Sequence, residues 1–580
     1  MSTDGDDGRD EPAHRSRATT PAQVTASPPM ATEGGTGLVR SGALMAAGTL
    51  VSRATGFVRT IVLAAALGTQ LLGDAYNTAN TLSFIAYDLL IGGLMASVIV
   101  PFLVRRRKAD SDGGLATEQR LFSAALLFLL IATALAVLAA KPIVGLYAGG
   151  FTPAQHEVAV LFGRYLLVQI LFIGVSGLSS AMLNSRSRFA SSAWAPVLNN
   201  LLIIGVGAAF LWIAGPGRTP ESITQGQIAL LGAGTAGGVV LQALVLQIAL
   251  RRSGFRWRLR LDLRGSGLGE ALRSAGWMFL LVCTMQTGFL ITANLANRAG
   301  ATAASEGSGV GAGLTAYNYA YQLFQLPYAI IAVSVITVLL PRMSAHAADH
   351  DWERVRDDFS RGLRGSSVVL VPLALALMVY AVPLCVAVFA RGSTSVEDAQ
   401  AIAGVLTVFA AGLIPFTAYQ LLLRVFYATG DTRTPALLSV GNVAVHGTIA
   451  VISYLVLPPP QVVMGIAGGF MLSYVNGLAF GGIILSRRLG SVDASRIGAT
   501  VARLYLTALP GAAVAWAIQV FWFDDPARGL AATMAGPIVG CVVAGVLYLL
   551  LGYLFRIPEM RDLLRSVRTR AVSRRRSHTP

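Results

Sequence analysis

Fourteen apolar segments, each long enough to cross a hydrocarbon layer about 30 Å thick, follow one another from Ser41 to near the end of the chain. They fall at roughly 41–66, 72–104, 119–142, 156–183, 190–214, 226–250, 268–297, 313–340, 363–390, 398–428, 434–457, 462–486, 497–522 and 528–555. In lipid every backbone polar group must be satisfied inside the protein, so segments of this length are expected as helices. The expected fold is an all-α polytopic membrane protein. Composition agrees, because only 13% of residues are charged against about 25% in a soluble domain, and the mean hydropathy is +0.62.

The connections between segments carry their own signal. Counted from an N-terminus inside the cell, every second connection is basic: "RRRKADSDGG", "NSRSRF", "RRSGFRWRLRLDLRG", "PRMSAHAADHDWERVRDDFSRGLR", "GDTRTP", "SRRLGSVDASR" and the tail "RSVRTRAVSRRR". The alternate connections hold at most one basic residue each, Lys141, Arg218, Arg298, Arg391 or Arg528. Positive residues in short loops stay cytoplasmic, so an even number of spans with both termini inside is expected. The net charge of +16 then reflects topology and contact with anionic lipid heads, and no nucleic-acid partner is needed. Residues 1–38, rich in Asp, Pro, Thr and Gly, cannot bury a core and read as a disordered tail.

Two landmarks recur. "VIVPFLVRRRKAD" places Pro101 where "ITVLLPRMSAHAAD" places Pro341, an offset of 240, and Asn200 and Asn442 lie 242 apart in matching helix junctions. Six spans per copy keep the same membrane orientation, which implies two six-helix lobes around a central cavity. The expected organisation is a lobe over 39–250, a basic linker over 251–266, a second lobe over 267–490, two further spans over 491–556 and a basic tail over 557–580.

Charges inside the spans are the functional signal. "LVSRATGFVRTIVLAAALG" puts Arg53 and Arg59 in the first span, where a charge at mid-membrane costs about 2.5–3.5 kcal/mol on insertion scales. Such residues face water, a partner or a ligand. Two readings stay open: a cavity for an anionic ligand, or internal ion pairs with Asp74 and Asp88 of the second span. A spacing of six sets the two side chains about 120° apart on a regular helix, a gap that a bend at Gly56 would narrow. Weaker candidates for the path are Arg164, Asn184, Arg188, Gln286, Gln322 and Gln325, with Tyr317, Tyr319 and Tyr321.

Other chemistries find no support. Cys283, Cys385 and Cys541 stand far apart in apolar runs, and "GSGVGAG" (307–313) has no strand before it to make a phosphate loop. No metal site, cofactor or enzymatic activity is expected.

"SRATGFVRTIVLAAALG" with "DAYNTANTL", "FGRYLLVQILFIGVSGLSSAMLNSRSRFASSAWAPVLNN" and "TAYNYAYQLFQLPYAIIAVSVITVLLPRMS" resemble the MurJ/MviN lipid II flippases of the multidrug/oligosaccharidyl-lipid/polysaccharide exporter superfamily. The resemblance covers about residues 41–490. It implies a fourteen-helix fold that carries undecaprenyl-diphosphate-linked disaccharide pentapeptide from the inner to the outer leaflet of the bacterial cytoplasmic membrane. Arg53, Arg59 and Arg164 match cavity arginines of the family. The chain departs from the family pattern at Asp88, where members often carry a basic pair, and at Gln322, where they carry an arginine. Some members bind sodium through an Asn and a carboxylate one turn apart, whereas this chain offers Asn442 and His446 as its candidates for ion coupling. Membrane potential, sodium and a proton stay open as the energy source. The rival functions are export of drugs or of another polyprenyl-linked glycan, and a non-transporting platform that recruits cell-wall synthesis proteins.

Overall fold

The computed structural model describes residues 35–89, 103, 112–186, 188–260, 262, 276–308, 310–522 and 529–561, and among them the ordered elements are helices. A first bundle holds α1 (Gly35–Leu67), α2 (Leu71–Tyr87), α3 (Leu115–Leu138), α4 (Ala140–Tyr147), α5 (Pro153–Leu166), α6 (Gln169–Ser185), α7 (Phe189–Ala214) and α8 (Gln225–Arg252). A second holds α9 (Gly276–Ser305), α10 (Leu314–Pro327), α11 (Val333–Ala348), α12 (Trp352–Val379), α13 (Ala381–Phe389), α14 (Val396–Ala411), α15 (Leu413–Ala428), α16 (Arg433–Val456) and α17 (Pro459–Leu489). Helices α18 (Ala494–Trp522) and α19 (Gly529–Leu554) pack on each other and against α12 and α13.

Among the described residues eleven helices are long and apolar enough to cross a membrane, and thirteen when each of two bent pairs is taken as one span. The second expected span, 72–104, runs beyond the described residues, as do Pro101, the tail over 1–34, residues 261 and 263–266 of the linker and the chain from 562 onward. Helix α1 starts at Gly35, inside the stretch expected to carry no fold, since an existing helix extends at one hydrogen bond per residue fixed. The bends have local causes. Pro327 and a π turn over Tyr328–Ala332 separate α10 from α11, with a bend of 48°. Pro415, the third residue of α15, cannot donate back into α14, and the axes there differ by 52°.

The same partners recur in the two bundles. Helix α7 packs on α1 and α8, as α16 packs on α9 and α17; α2 packs on α5 as α10 packs on α14; and α3 meets α6 as α12 meets α15. The first core centres on Tyr76 edge-on to Phe162, with ring centroids 5.4 Å apart. The second centres on Phe324, Phe409 and Phe416, each fully buried.

The connections sort to two ends. At one end, Arg186 reaches Glu118 and Ser253, Arg488 holds Asp431, Ser360 holds Asp493, and Arg364 holds Glu559, so the arginine-bearing connections within each bundle meet one another. This is the basic end. At the far end the connections around 68–70, 148–152, 215–217, 310–313 and 391–395 converge. In a chain whose three cysteines are replaced by alanine, Arg258→Cys and Ser308→Cys are expected to react with impermeant reagents from opposite sides of the membrane. Labelling of both from one side would break this arrangement.

Candidate substrate cavity between the bundles

A cavity of about 90 Å³ lies where α1, α2, α6, α7 and α8 of the first bundle face α10 of the second. Its walls carry Arg59, Thr60, Asn77, Asn80, Asn318 and Gln322, backed by Tyr76 and Tyr319. Arg59 is the one charged residue among the lining residues described, and it makes no ion pair with any described residue. An unpaired charge withdrawn from water carries a penalty of several kcal/mol, about the scale that a bound anion would offset. The remaining groups are amides and hydroxyls already arranged by one another. Thr60 Oγ1 donates to Gln322 Oε1 across the bundles (2.7 Å), Gln169 Nε2 donates to Asn80 Oδ1 (3.3 Å), and the hydroxyls of Tyr76 and Thr235 share a bond of 2.8 Å. Asn199 Oδ1 is buried without a partner. The site is therefore positive, rich in donors and closed to about the volume of a few waters.

Toward the far end the bundles complete each other's helix termini. A helix leaves its first amides and last carbonyls without internal partners. Asp74 of α2, only 1% exposed, accepts from the amide of Thr315 in the first turn of α10 (2.8 Å) and packs on Gly300 and Gly313. Asn77 Nδ2 donates to Thr315 Oγ1 (3.1 Å), and Asp398 accepts from the amide of Gly311 (2.6 Å), so the start of α10 is held from both sides. In the opposite sense, the last carbonyls of α1 are taken by the second bundle. The amide of Ser393 donates to Ala65 O (2.8 Å), Ser393 Oγ to Ala66 O (3.0 Å) and Thr394 Oγ1 to Ala64 O (2.8 Å). This contact needs Gly68 and Gly392, whose φ values are +72° and +61° and whose added Cβ atoms would strike Ser393 and Ala65 backbone. Asn297 ties α9 to Thr78 and to Tyr147 O, each at 2.9 Å.

The other residues singled out from sequence are distributed as follows. Arg53 is exposed on α1, outside the cavity, and makes no ion pair with described residues. Gly56 does not break α1, which runs unbroken over Gly35–Leu67; it lets Asn200 of α7 approach, and Asn200 Nδ2 donates to Ser52 O (3.0 Å). Asp74 pairs with neither arginine. Asp88 accepts from Gln286 Nε2 across the bundles (3.3 Å), on the basic side of the cavity. Arg164 is exposed in the last turn of α5 and stands outside the cavity, as does Gln325. Arg188 is the residue before α7 and makes no side-chain cap, and Asn184 lies near the end of α6. Tyr319 lines the cavity and stacks on Phe389 (5.3 Å), whereas Tyr317 and Tyr321 turn into the aromatic core against Phe409.

Asn442 and His446 are buried inside the second bundle, away from the cavity. His446 Nε2 shares a bond of 2.8 Å with Thr292 Oγ1, and Asn442 Oδ1 accepts from Asn476 (3.2 Å). No group of three or more His, Cys, Asp or Glu able to hold a metal occurs among the described residues.

Sequence reasoning did not single out Thr60, Asn77, Asn80, Asn199 or Asn318. Each is a hydrogen-bonding side chain within an apolar segment, and that was the available signal. It also passed over Arg424 of α15, whose guanidinium lies 5.7 Å from the Tyr427 ring centre with Nε buried and unpartnered.

Two helix bundles facing each other over a polar, positively charged cavity, sealed at one end by exchangeable hydrogen bonds, define a membrane transporter of the alternating-access class. The comparisons narrow the class. The family described as Lipid II flippase MurJ matches residues 63–524. The probable lipid II flippase MurJ of Rhizobium meliloti is 28% identical over 516 residues, covering 88% of this chain and 92% of that protein. Among solved structures, a lipid II flippase MurJ in an inward closed conformation aligns with a TM-score of 0.70 at 17% identity, over 90% of this chain and 99% of the other. A MATE family transporter of the MOP superfamily, inward-facing, shares the fold at a TM-score of 0.58 and 17% identity, over 75% of this chain and 95% of its own. The chain belongs to the lipid II flippase MurJ family.

The cap on α10 generates a test. Removing a side-chain acceptor from a helix N-terminus costs about 0.5–2 kcal/mol, and here the loss falls on the far-end seal. Asp74→Ala is expected to raise the reactivity of Thr315→Cys toward an impermeant reagent about tenfold, while Asp74→Asn, which keeps the acceptor, stays near the parent. Equal reactivity in Asp74→Ala and the parent would remove Asp74 from the seal.

Proposed function

We propose that this chain is a lipid II flippase: it moves the undecaprenyl-diphosphate-linked peptidoglycan precursor from the inner to the outer leaflet by rocking the two bundles about the cavity between them. The observation that carries the reading is Arg59, an uncompensated guanidinium in a polar cavity between bundles of this family's fold. A guanidinium offers a diphosphate two parallel charge-assisted bonds, and the surrounding amides and hydroxyls suit the sugars beyond it. No covalent step is required.

The roles divide along the path. Arg59 binds the diphosphate in the cavity. Arg53, nearly two turns toward the basic end and exposed, meets it on the way in. Gln322, bonded to Thr60 while the cavity is closed, changes partner when the head group arrives. Asp74 holds the far-end seal, and Asp88 with Gln286 bridges the bundles on the basic side. A cavity of about 90 Å³ is too small for a sugar-peptide head, so the head group needs the bundles to part further, and the far end is shut by the bonds to Asp74, Ser393 and Thr394. We place the basic end in the cytoplasm, with both termini, in the bacterial cytoplasmic membrane; the alternating basic connections support this. The membrane potential acts in the required sense, because an interior-negative potential drives an anion outward with about 2.3 kcal/mol per charge per 100 mV.

The test uses cells whose own flippase is depleted, with lipid II exposed on the outer surface measured per unit of protein. A charge-assisted bond is worth about 1.5–3 kcal/mol, so Arg59→Ala is expected to lose at least tenfold, and Arg59→Lys most of that, because an ammonium cannot reproduce the bidentate fork. Arg53→Ala is expected to stay defective when combined with Asp88→Ala, since Asp88 faces Gln286 and not Arg53. Full activity in that double variant would make Arg53 architectural, and full activity in Arg59→Ala would refute the proposed ligand site.

A further inference from the structure

A second cavity, of about 460 Å³, lies at the basic end on the flank of the first bundle, between the α6–α7 turn and the last turns of α8. Arg188 and Ser191 form one side, Arg252 and Ser253 another, and Val245 and Ile248 the wall. Ile248 is 51% exposed, so this wall opens sideways onto the lipid-facing surface of α8. Three arginines meet at this junction, and they differ in one respect. Arg186 is consumed by the fold: it reaches Glu118, donates to Ser253 Oγ (3.1 Å) and lies 5.6 Å from the Phe255 ring centre. Arg188 and Arg252 line the cavity and have no acceptor or carboxylate among the described residues.

The chain after α8 fixes the level of this cavity. Segment 255–260 runs without helix along the start of α3, held by Gln119 Nε2 to Arg256 O (2.6 Å) and by Ser123 Oγ, which accepts from Trp257 Nε1 (3.2 Å) and the amide of Arg260 (3.1 Å). It buries Phe255 and leaves Trp257 and Leu259 45% and 68% exposed between Arg256, Arg258 and Arg260. Exposed tryptophan interleaved with arginine belongs at the boundary between acyl chains and headgroups. The cavity beside it therefore stands at the depth of lipid phosphates.

We propose that this cavity is a binding site for the phosphate of an anionic phospholipid in the leaflet at the basic end, held by Arg188 and Arg252 with Ser191, its acyl chains lying along Val245 and Ile248. The chemistry is that of two free guanidinium groups on one phosphodiester, with an apolar exit for the chains. The site is on the outer flank of the first bundle, separate from the cavity that holds Arg59, and it does not depend on what the protein transports.

The test takes the purified full chain in a neutral detergent and counts retained lipids by native mass spectrometry during titration with phosphatidylglycerol or phosphatidylcholine. One phosphatidylglycerol is expected to bind at least tenfold more tightly than phosphatidylcholine. This preference should vanish in Arg188→Gln, Arg252→Gln and persist in Arg354→Gln, Arg361→Gln, which removes the same charge from the basic end of the second bundle. The Arg188→Lys, Arg252→Lys variant keeps both charges and is expected to keep the preference, which preserves the test if the glutamine pair fails to fold. Equal preference in the glutamine pair and the parent would overturn the site. Displacement of the phospholipid by excess inorganic phosphate, or by an equimolar amount of undecaprenyl diphosphate, would overturn the assignment to a resident phospholipid.

Discussion

The structure depends on helix-terminal peptide groups that find their partners in the opposite bundle. The carbonyls of Ala64, Ala65 and Ala66 at the end of α1 are taken by Ser393 and Thr394, and the amide of Thr315 in the first turn of α10 is taken by Asp74. Neither bundle is complete at the far end by itself. This suits a gate, because hydrogen bonds of this kind contribute only about 0.5–1.5 kcal/mol each net of solvent, and water can replace them when the bundles part. A seal of interlocked aromatics would have no such substitute, and the aromatic contacts described lie within one bundle or the other rather than between the two.

Helix α10 joins the gate to the cavity. Its first turn is capped by Asp74, its Asn318, Tyr319 and Gln322 line the cavity, and its Tyr317, Tyr321 and Phe324 pack into the second core. A ligand that moves the cavity face therefore moves the capped end, since the helix between them is rigid over these few turns. The bend after Pro327 separates this stretch from α11, so α10 can tilt without carrying the basic half of the span with it.

Sequence made the class legible because its signals are periodic and local. Apolar length and alternating arginines need no knowledge of packing. What stayed hidden depends on helix rotation. Arg53 and Arg59 look equivalent in sequence, yet the roughly 120° between them puts only Arg59 on the cavity wall, and α1 does not bend at Gly56 to bring them together. Asp74 reads as a counter-charge when its neighbours are unknown, because a carboxylate near an arginine is the simplest pairing. Its partner is a backbone amide 241 residues away, and a backbone amide has no sequence signature.

The asymmetry of charge across the cavity bears on turnover. Arg59 belongs to the first bundle, and the second contributes Asn318, Tyr319 and Gln322, all neutral. A ligand shifts a conformational equilibrium only by its difference in affinity between the states, so a contact equally strong in both changes nothing. On the proposed reading, a bond from Arg59 would stay with the first bundle whichever way the second rocks and would serve mainly to hold the anion. The Gln322 oxygen accepts from Thr60 of the opposite bundle, so on the proposed reading this contact would be lost when the bundles part and would differ between the states. A head group that binds Gln322 competes directly with closure. On that reading a neutral amide would give the second bundle a weak hold that an open state could release, where a guanidinium would keep the anion clamped from both sides.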